Sequence, residues 1–392
     1  MMNPYVLAVP ERVISGAGCI SKLPELLKEL DKKKVALFAD MGALKSGAID
    51  ATIETLKASC ESFTLVNNVP PEPEDRQVRE IFGQVKDCGA DAIVAIGGGS
   101  VMDTSKIISV MMTNPGYYDD LTDQSKIVNR GAPLLVAPTS AGTGSEATPN
   151  AIVLIPEKKL KVGVVHPYFL PCRVLLDPEL TKSLPKSVTA STGVDAFCHC
   201  IETYISRKTN PFARVFGLKG IELISKYLRR AYEDGSDMEA RENMLLAAFY
   251  GGVAITASST VAVHALSYPL GGTYRIPHGV SNAILQPFVM RYNMDAIQED
   301  LPTLAAAMGL DTTGTAKELE DRMVEALFTL CRDRNIPDNL QPFGVKPEDL
   351  EFLTVSASEV HRASRGIAAL QLLEMVIVQN CIARIDIEKL II

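Results

Sequence analysis

Histidine is scarce in this chain, with five in 392 residues, and their distribution is uneven. The stretch 192–202 (TGVDAFCHCIE) carries helical periodicity. On a helix, Asp195, His199 and Glu202 stand at i, i+4 and i+7 on one face. His264 lies in a second apolar helical stretch, 262–266, and His278 follows 14 residues later, just after Pro277. One histidine in an apolar helix is ordinarily a satisfied core residue. Three of five in two apolar segments, with an aspartate one turn from the first, predict a divalent metal site. One carboxylate and three imidazoles suit Fe(II) or Zn(II) and leave positions open for a substrate oxygen. His166 and His361 have no such neighbours and read as ordinary residues.

Two glycine-bearing loops predict a site of another kind, built from backbone. In AIVAIGGGSVMDTSK, Gly97, Gly98, Gly99 and Ser100 follow a β-branched apolar run and precede a helical pattern. Glycines let the backbone approach a ligand, and a helix start offers free N–H groups to an anion such as a pyrophosphate. The spacing is neither that of a P-loop nor G-x-G-x-x-G, and taken alone it serves equally as a strand-to-helix turn. After the next strand, residues 138–146 (PTSAGTGSE) place four hydroxyl side chains and two glycines in nine positions. Two such loops at one sheet edge predict a shared ligand. Asp40 closes an earlier apolar run. A carboxylate there either caps a turn or accepts from a ribose 2′-hydroxyl, and the second role favours NAD over NADP.

Strands and helices must position these groups. The runs Val35–Ala39, Ala92–Ile96 and Leu134–Ala137 look like buried parallel strands, and residues 20–33, 46–60 and 74–88 look like crossover helices. From about residue 186 the texture becomes helical, over 187–206, 211–234, 238–256, 293–308, 315–334 and 366–384. Prolines sit mostly where these segments break. The expected architecture is α/β plus all-α. An open parallel-sheet dinucleotide-binding domain, 1–184, precedes an all-helical metal-binding and substrate domain, 185–392. A net charge of −8 repels a phosphate backbone, which argues against nucleic acid or an anionic membrane as partner. No run reaches the roughly 18 apolar residues of a membrane span. Eight scattered cysteines without a C-x-x-C pair, and no signal-peptide pattern at the N-terminus, read as a soluble cytoplasmic protein with reduced thiols.

Four segments carry a resemblance over essentially the whole chain: GGGSVMDTSK, PTSAGTGSE, VLLDPELTKSLPKSVTASTGVDAFCHCIETY and HALSYPLGGTYRIPHGVSNAILQPFVMRYN. In order and spacing they resemble the iron-containing (group III) alcohol dehydrogenases, whose fold is shared with dehydroquinate synthase. The resemblance implies metal ligands at Asp195, His199, His264 and His278, the set reached above by spacing. It implies a phosphate loop at Gly97–Ser100 with Asp103, and nicotinamide and ribose contacts at Thr139, Ser140, Thr143, Asn150 and Lys161. It puts the adenosine-ribose aspartate at Asp40, and implies homo-oligomers of two chains or more. Substrate-lining positions fall on Asn150, Ile255, Ser259, Thr260 and the loop with Arg275.

Three places depart from the family pattern. Tyr268 stands where the family often has a histidine near the nicotinamide, which makes it a candidate proton relay, with packing as the plainer role. Leu285-Gln286-Pro287-Phe288 replaces LLPH, and Glu72 replaces the usual Asn of P-N-P. The implied chemistry is hydride transfer between NAD and a small primary alcohol, with a metal polarising the alcohol oxygen. Hydroxyls and a guanidinium at the lining positions suggest a polar substrate: a diol, hydroxy-aldehyde or hydroxy acid. The alternative is a lyase of the dehydroquinate synthase type, whose pocket needs several Lys and Arg; around His264–His278 only Arg275 is present.

Overall fold

The computed structural model describes residues 4–158, 160–349, 352–353 and 355–357. In the first half the elements are β1 (Arg12–Ser15), α1 (Leu23–Glu29), β2 (Lys34–Ala39), α2 (Met41–Ser46), α3 (Asp50–Ser59), β3 (Ser62–Val66) and α4 (Asp75–Asp87). They continue with β4 (Ala92–Gly97), α5 (Gly99–Met111), β5 (Leu134–Pro138), β6 (Asn150–Ile155), β7 (Leu160–Val165) and β8 (Arg173–Leu176). The helices that follow are α6 (Lys186–Ile205), α7 (Pro211–Glu233), α8 (Met238–Ala257), α9 (Ala262–Tyr274), α10 (His278–Asn293), α11 (Leu301–Ala307) and α12 (Ala316–Arg332). The expected helix over 366–384, together with His361 and Cys381, lies outside the described residues.

Six strands pair in parallel in the order β1–β8–β5–β4–β2–β3. The chain steps from β2 outward to β3, then returns past β2 to β4, so the order reverses between β2 and β4. Strand side chains alternate between the faces of the sheet. Val35, Leu37 and Ala39 share one core with α1 and α3, while Ala36 and Phe38 share the other with α4 and α5. The connections leaving β2 and β4 therefore lie on opposite faces. They open a crevice at the carboxyl ends of these strands, where open α/β sheets bind ligands.

The expected runs are the centres of β2, β4 and β5. The outer strands β1 and β3 are half-exposed, so they carry no continuous apolar run to announce them. The antiparallel hairpin β6–β7 is a further addition, with Asn150 opposite Val165 and Lys161 opposite Leu154. It is stitched to the turn before α4, where the Leu154 N–H donates to the Pro73 carbonyl at 3.1 Å.

No strand follows Leu176 among the described residues. Helix α6 is buried along most of its length and is packed by α7, α8 and α10. Several prolines open helices, as at Pro185, Pro211, Pro277 and Pro302. Two do not mark breaks: Pro269 lies inside α9 and Pro287 inside α10. A helical proline removes one N–H and frees the carbonyl four residues earlier. For Pro287 that carbonyl is Ala283 O, which accepts from the Cys331 thiol at 3.5 Å. The single helix expected over 293–308 is broken by a 3-10 stretch at Met294–Asp300, with Ile297 outside helical geometry. All described cysteines are free thiols. No single described helix is long and apolar enough to cross a membrane.

Candidate metal centre and cofactor cleft

Asp195 and His199 project from α6, His264 from α9, and His278 is the first residue of α10. Helices α8 and α9 meet at 105° across residues 258–261, which turns α9 over the face of α6. The ligand atoms of Asp195, His199 and His264 all lie within 4.8 Å of one another. Asp195 Oδ1 is the hub, 3.9 Å from His199 Nε2, 3.7 Å from His264 Nε2 and 3.8 Å from His278 Nε2. His278 stands outside the compact trio, and its side chain remains 30% exposed toward the cleft.

Two neighbours prepare the donor set. Glu202, one turn beyond His199, accepts the Val263 N–H at 2.7 Å and makes a short hydrogen bond with His264 Nδ1. Glu202 thus holds a proton on Nδ1 of His264, so that loss of the Nε2 proton, on the side of Asp195, would leave the lone pair with which an imidazole binds a metal. Asn282 Nδ2 donates to Asp195 Oδ1 at 2.6 Å and lies 3.2 Å and 3.3 Å from Nε2 of His264 and His278. A donor surrounded by these atoms marks the point on which their lone pairs converge. A cation has the same requirement, so the residues fit a divalent ion.

Protonation states agree. Burial pulls the pKa of His199 down to about 4 and that of His278 to about 3, leaving both rings neutral at pH 7. Burial works against Asp195, but the imidazoles of His199, His278 and His264 outweigh it and hold its carboxyl well below the usual range. Burial also opposes a charge on His264, yet Glu202 and Asp195 push its pKa up to about 9. A metal binding there competes with one proton rather than three.

The sheet edge supplies the other wall. Gly98 caps α5, so the first amides of that helix point out of the carboxyl edge of β4 without helical partners. Gly99 packs against Thr143, where a Cβ would stand 2.8 Å from Thr143 Cγ2. In the loop after β5, Gly144 has φ +61° and meets helix α8, where a Cβ would lie 2.7 Å from Gly252 Cα. This glycine joins the sheet to the helices, a use that was not evident in the sequence. Thr139 donates to Asp40 Oδ2 at 2.6 Å, and the Ala43 N–H donates to Asp40 Oδ1 at 2.7 Å. Asp40 thus caps α2 and spans two strand ends, with acceptor capacity left on both oxygens. Asp103 accepts from Ser145 Oγ at 2.5 Å and from the Ile152 N–H at 3.0 Å, tying α5 to the hairpin.

One cleft joins these parts. Gly99, Ser100, Asp103, Thr143, Asn150 and Lys161 line it together with Asp195, His199, His264 and His278. Ile255, Thr260 and Tyr268 line it as well, and the Tyr268 ring stacks on His278 at 5.9 Å and 11°. Burial pushes the Tyr268 phenol up to about 12. Asp40, Gly97, Gly98, Thr139 and Ser140 lie further along the sheet edge and do not line this cavity. Two substrate-lining candidates are also outside it. Ser259 turns its hydroxyl to the Thr260 carbonyl, and Arg275 is an exposed C-cap of α9 at φ 55°. Of the two supporting partners, Glu202 was placed by the sequence on the ligand face without a role, and Asn282 was missed. Asn282 had no signal beyond lying four residues after His278.

The residues of this cleft belong to a recognisable class. The model of the "Iron-containing alcohol dehydrogenase" family matches residues 10–178, and that of the "Fe-containing alcohol dehydrogenase family, C-terminal" matches 189–371. The chain belongs to the iron-containing alcohol dehydrogenase family. It is 34% identical over 349 residues to alcohol dehydrogenase 4 of Saccharomyces cerevisiae, covering 89% of this chain and 91% of that protein. It is 35% identical over 352 residues to a 1,3-propanediol dehydrogenase of Klebsiella pneumoniae, covering 89% and 91%. A lactaldehyde reductase of Escherichia coli is 34% identical over 345 residues, covering 87% and 90%. The solved structure of a 1,3-propanediol oxidoreductase superposes with a TM-score of 0.90 at 32% identity, over 95% of this chain and 100% of that one. The protein is an oxidoreductase of alcohols and aldehydes, in a family that uses a nicotinamide dinucleotide and a metal ion.

Proposed function

We propose that Asp195, His199, His264 and His278 hold Fe(II), with Zn(II) as the alternative, and that the dinucleotide is NAD. The substrate is a small polar primary alcohol, such as a diol, or the corresponding aldehyde. The observation that carries this reading is a single cleft joining the Asp195-centred cluster to the glycine start of α5.

In the net reaction a primary alcohol and NAD+ give an aldehyde, NADH and a proton. When bound, the metal supplies Lewis acidity to the alcohol oxygen and the dinucleotide accepts the hydride. The chain does the rest. The free amides of α5 hold the pyrophosphate, and Asp40 accepts from the adenosine ribose, where its charge disfavours a 2′-phosphate. Thr139, Ser140, Thr143, Asn150 and Lys161 position the nicotinamide end. Ile255 and the Thr260 side chain shape the substrate space and help exclude water. Tyr268, stacked on His278, passes the released proton outward. The relatives named for 1,3-propanediol and lactaldehyde support a small polar substrate. Lys161 is the only lysine or arginine among the described residues lining the cleft, which disfavours a dehydroquinate-synthase-like lyase. The family habit of oligomers and the free cysteines support a cytoplasmic homo-oligomer.

The test follows NADH absorbance with 1-butanol and 1,4-butanediol, on enzyme loaded with Fe(II) or Zn(II), using NAD and NADP in parallel. The diol with NAD is expected to show the higher kcat/KM. A preference for butanol removes the polar substrate, and no net NADH removes the dehydrogenase.

A further inference from the structure

Lys161, which faces the nicotinamide end in the reading above, carries inside the cleft a counter-charge that hydride transfer does not require. Glu72 Oε1 lies 2.5 Å from Lys161 Nζ, and both side chains line the cavity that holds the Asp195 cluster. They come from separate elements, Glu72 from the turn between β3 and α4 and Lys161 from β7. Three contacts fix their meeting. The Glu72 N–H donates to Ser100 Oγ at 3.1 Å, and the turn is stitched to the hairpin through Leu154 and Pro73. On the far side, Lys161 Nζ packs so tightly on α9 that a Cβ at Gly271 would stand 2.6 Å from it.

The backbone at Glu72 has φ 51°, the left-handed region, which suits glycine and asparagine and disfavours glutamate. The carboxylate is therefore not there to serve the turn. Its effect is on Lys161, whose side chain is only 6% exposed. A buried ammonium with no internal counter-charge would be a natural seat for a substrate carboxylate. Glu72 occupies that seat.

We propose that Glu72 is a specificity-determining residue that neutralises Lys161 inside the cleft, so that neutral diols and hydroxy-aldehydes are accepted and hydroxy acids are turned away. A hydroxy acid reaching Lys161 must displace Glu72. It exchanges one ion pair for another, loses its own hydration, and stands beside a like charge. The inference rests on the alcohol–aldehyde reading of the same cleft and narrows its substrate class.

The test pairs 1,4-butanediol with 4-hydroxybutyrate, which share a four-carbon chain and differ in one end group. Both are assayed on metal- and NAD-loaded wild type and Glu72→Gln, which keeps the side-chain length and removes the charge. The ratio of kcat/KM for the acid to that for the diol is expected to rise by about tenfold or more in the variant. Titration calorimetry with 4-hydroxybutyrate, which needs no turnover, is expected to show tighter binding by a similar factor. Glu72→Asn, suited to the left-handed turn, repeats both measurements should the Gln variant fold poorly. An unchanged ratio and unchanged affinity overturn the proposal. Absence of diol oxidation in wild type would count against the proposed reaction instead, and the calorimetric comparison would still decide the role of Glu72.

Discussion

The two walls of the cleft are built by opposite means. On the sheet side the working surface is backbone, exposed by small residues at the ends of β4 and β5, with a helix start behind it. On the helical side it is a set of ionisable side chains, buried where α9 and α10 cross α6. The difference has a physical basis. An extended polyanion is met by many weak, fixed N–H dipoles, which need open access. A single ion is met by a few strong donors, which need exact protonation and support. A backbone site should fail when atoms are added, and a side-chain site when they are removed.

The largest expected effect comes from removal. His199→Ala takes one donor from the compact trio and is expected to lose bound metal, as read by elemental analysis. Activity should fall by roughly 10³-fold with the fold intact by circular dichroism. Retention of a full metal complement would break the assignment of the helical wall. Addition is tested by Gly99→Ala, whose new Cβ meets Thr143 Cγ2. The KM for NAD should rise by about 10–100-fold with metal content unchanged. Thr143→Ser, which deletes the opposing methyl, should recover part of the loss in the double variant. If Gly99→Ala leaves NAD affinity alone, the sheet edge is a turn and not a cradle. The smallest effect is expected at Tyr268, where the walls adjoin. Tyr268→Phe keeps the ring on His278 and removes the hydroxyl, and as a relay it should lose about tenfold in kcat with an altered pH profile. Because the phenol is raised to about 12, it remains a neutral donor throughout the working range. An unchanged rate and profile would leave it as packing alone.

Legibility in sequence followed the same division. The α6 ligand face could be read because i, i+4, i+7 spacing is a property of one helix. The glycine loops could be read as loops, but not sorted by use. Gly99 faces the cleft and Gly144 faces Gly252 of α8, and that distinction depends on an element about 100 residues away in the chain. The hairpin β6–β7, between β5 and β8, forms its own two-stranded sheet and stands outside the six-stranded parallel sheet that the apolar runs announce. It carries Lys161 to Glu72. Arg275 looked like a pocket residue by its nearness to His278 in sequence, but the left-handed turn that ends α9 sends it to the surface.

The sequence by itself determined the alternation of strand and helix, the change to all-helical texture near residue 186, and which side chains were available as metal donors. These follow from local periodicity and residue chemistry, which need no distant partner. Only the tertiary structure decided how three imidazoles from three helices come to surround one oxygen of Asp195. It also decided that Glu202 meets Nδ1 of His264, and that Lys161 in the cleft already has a counter-charge. These depend on helix crossings and loop meetings, and only packing across the whole chain settles them.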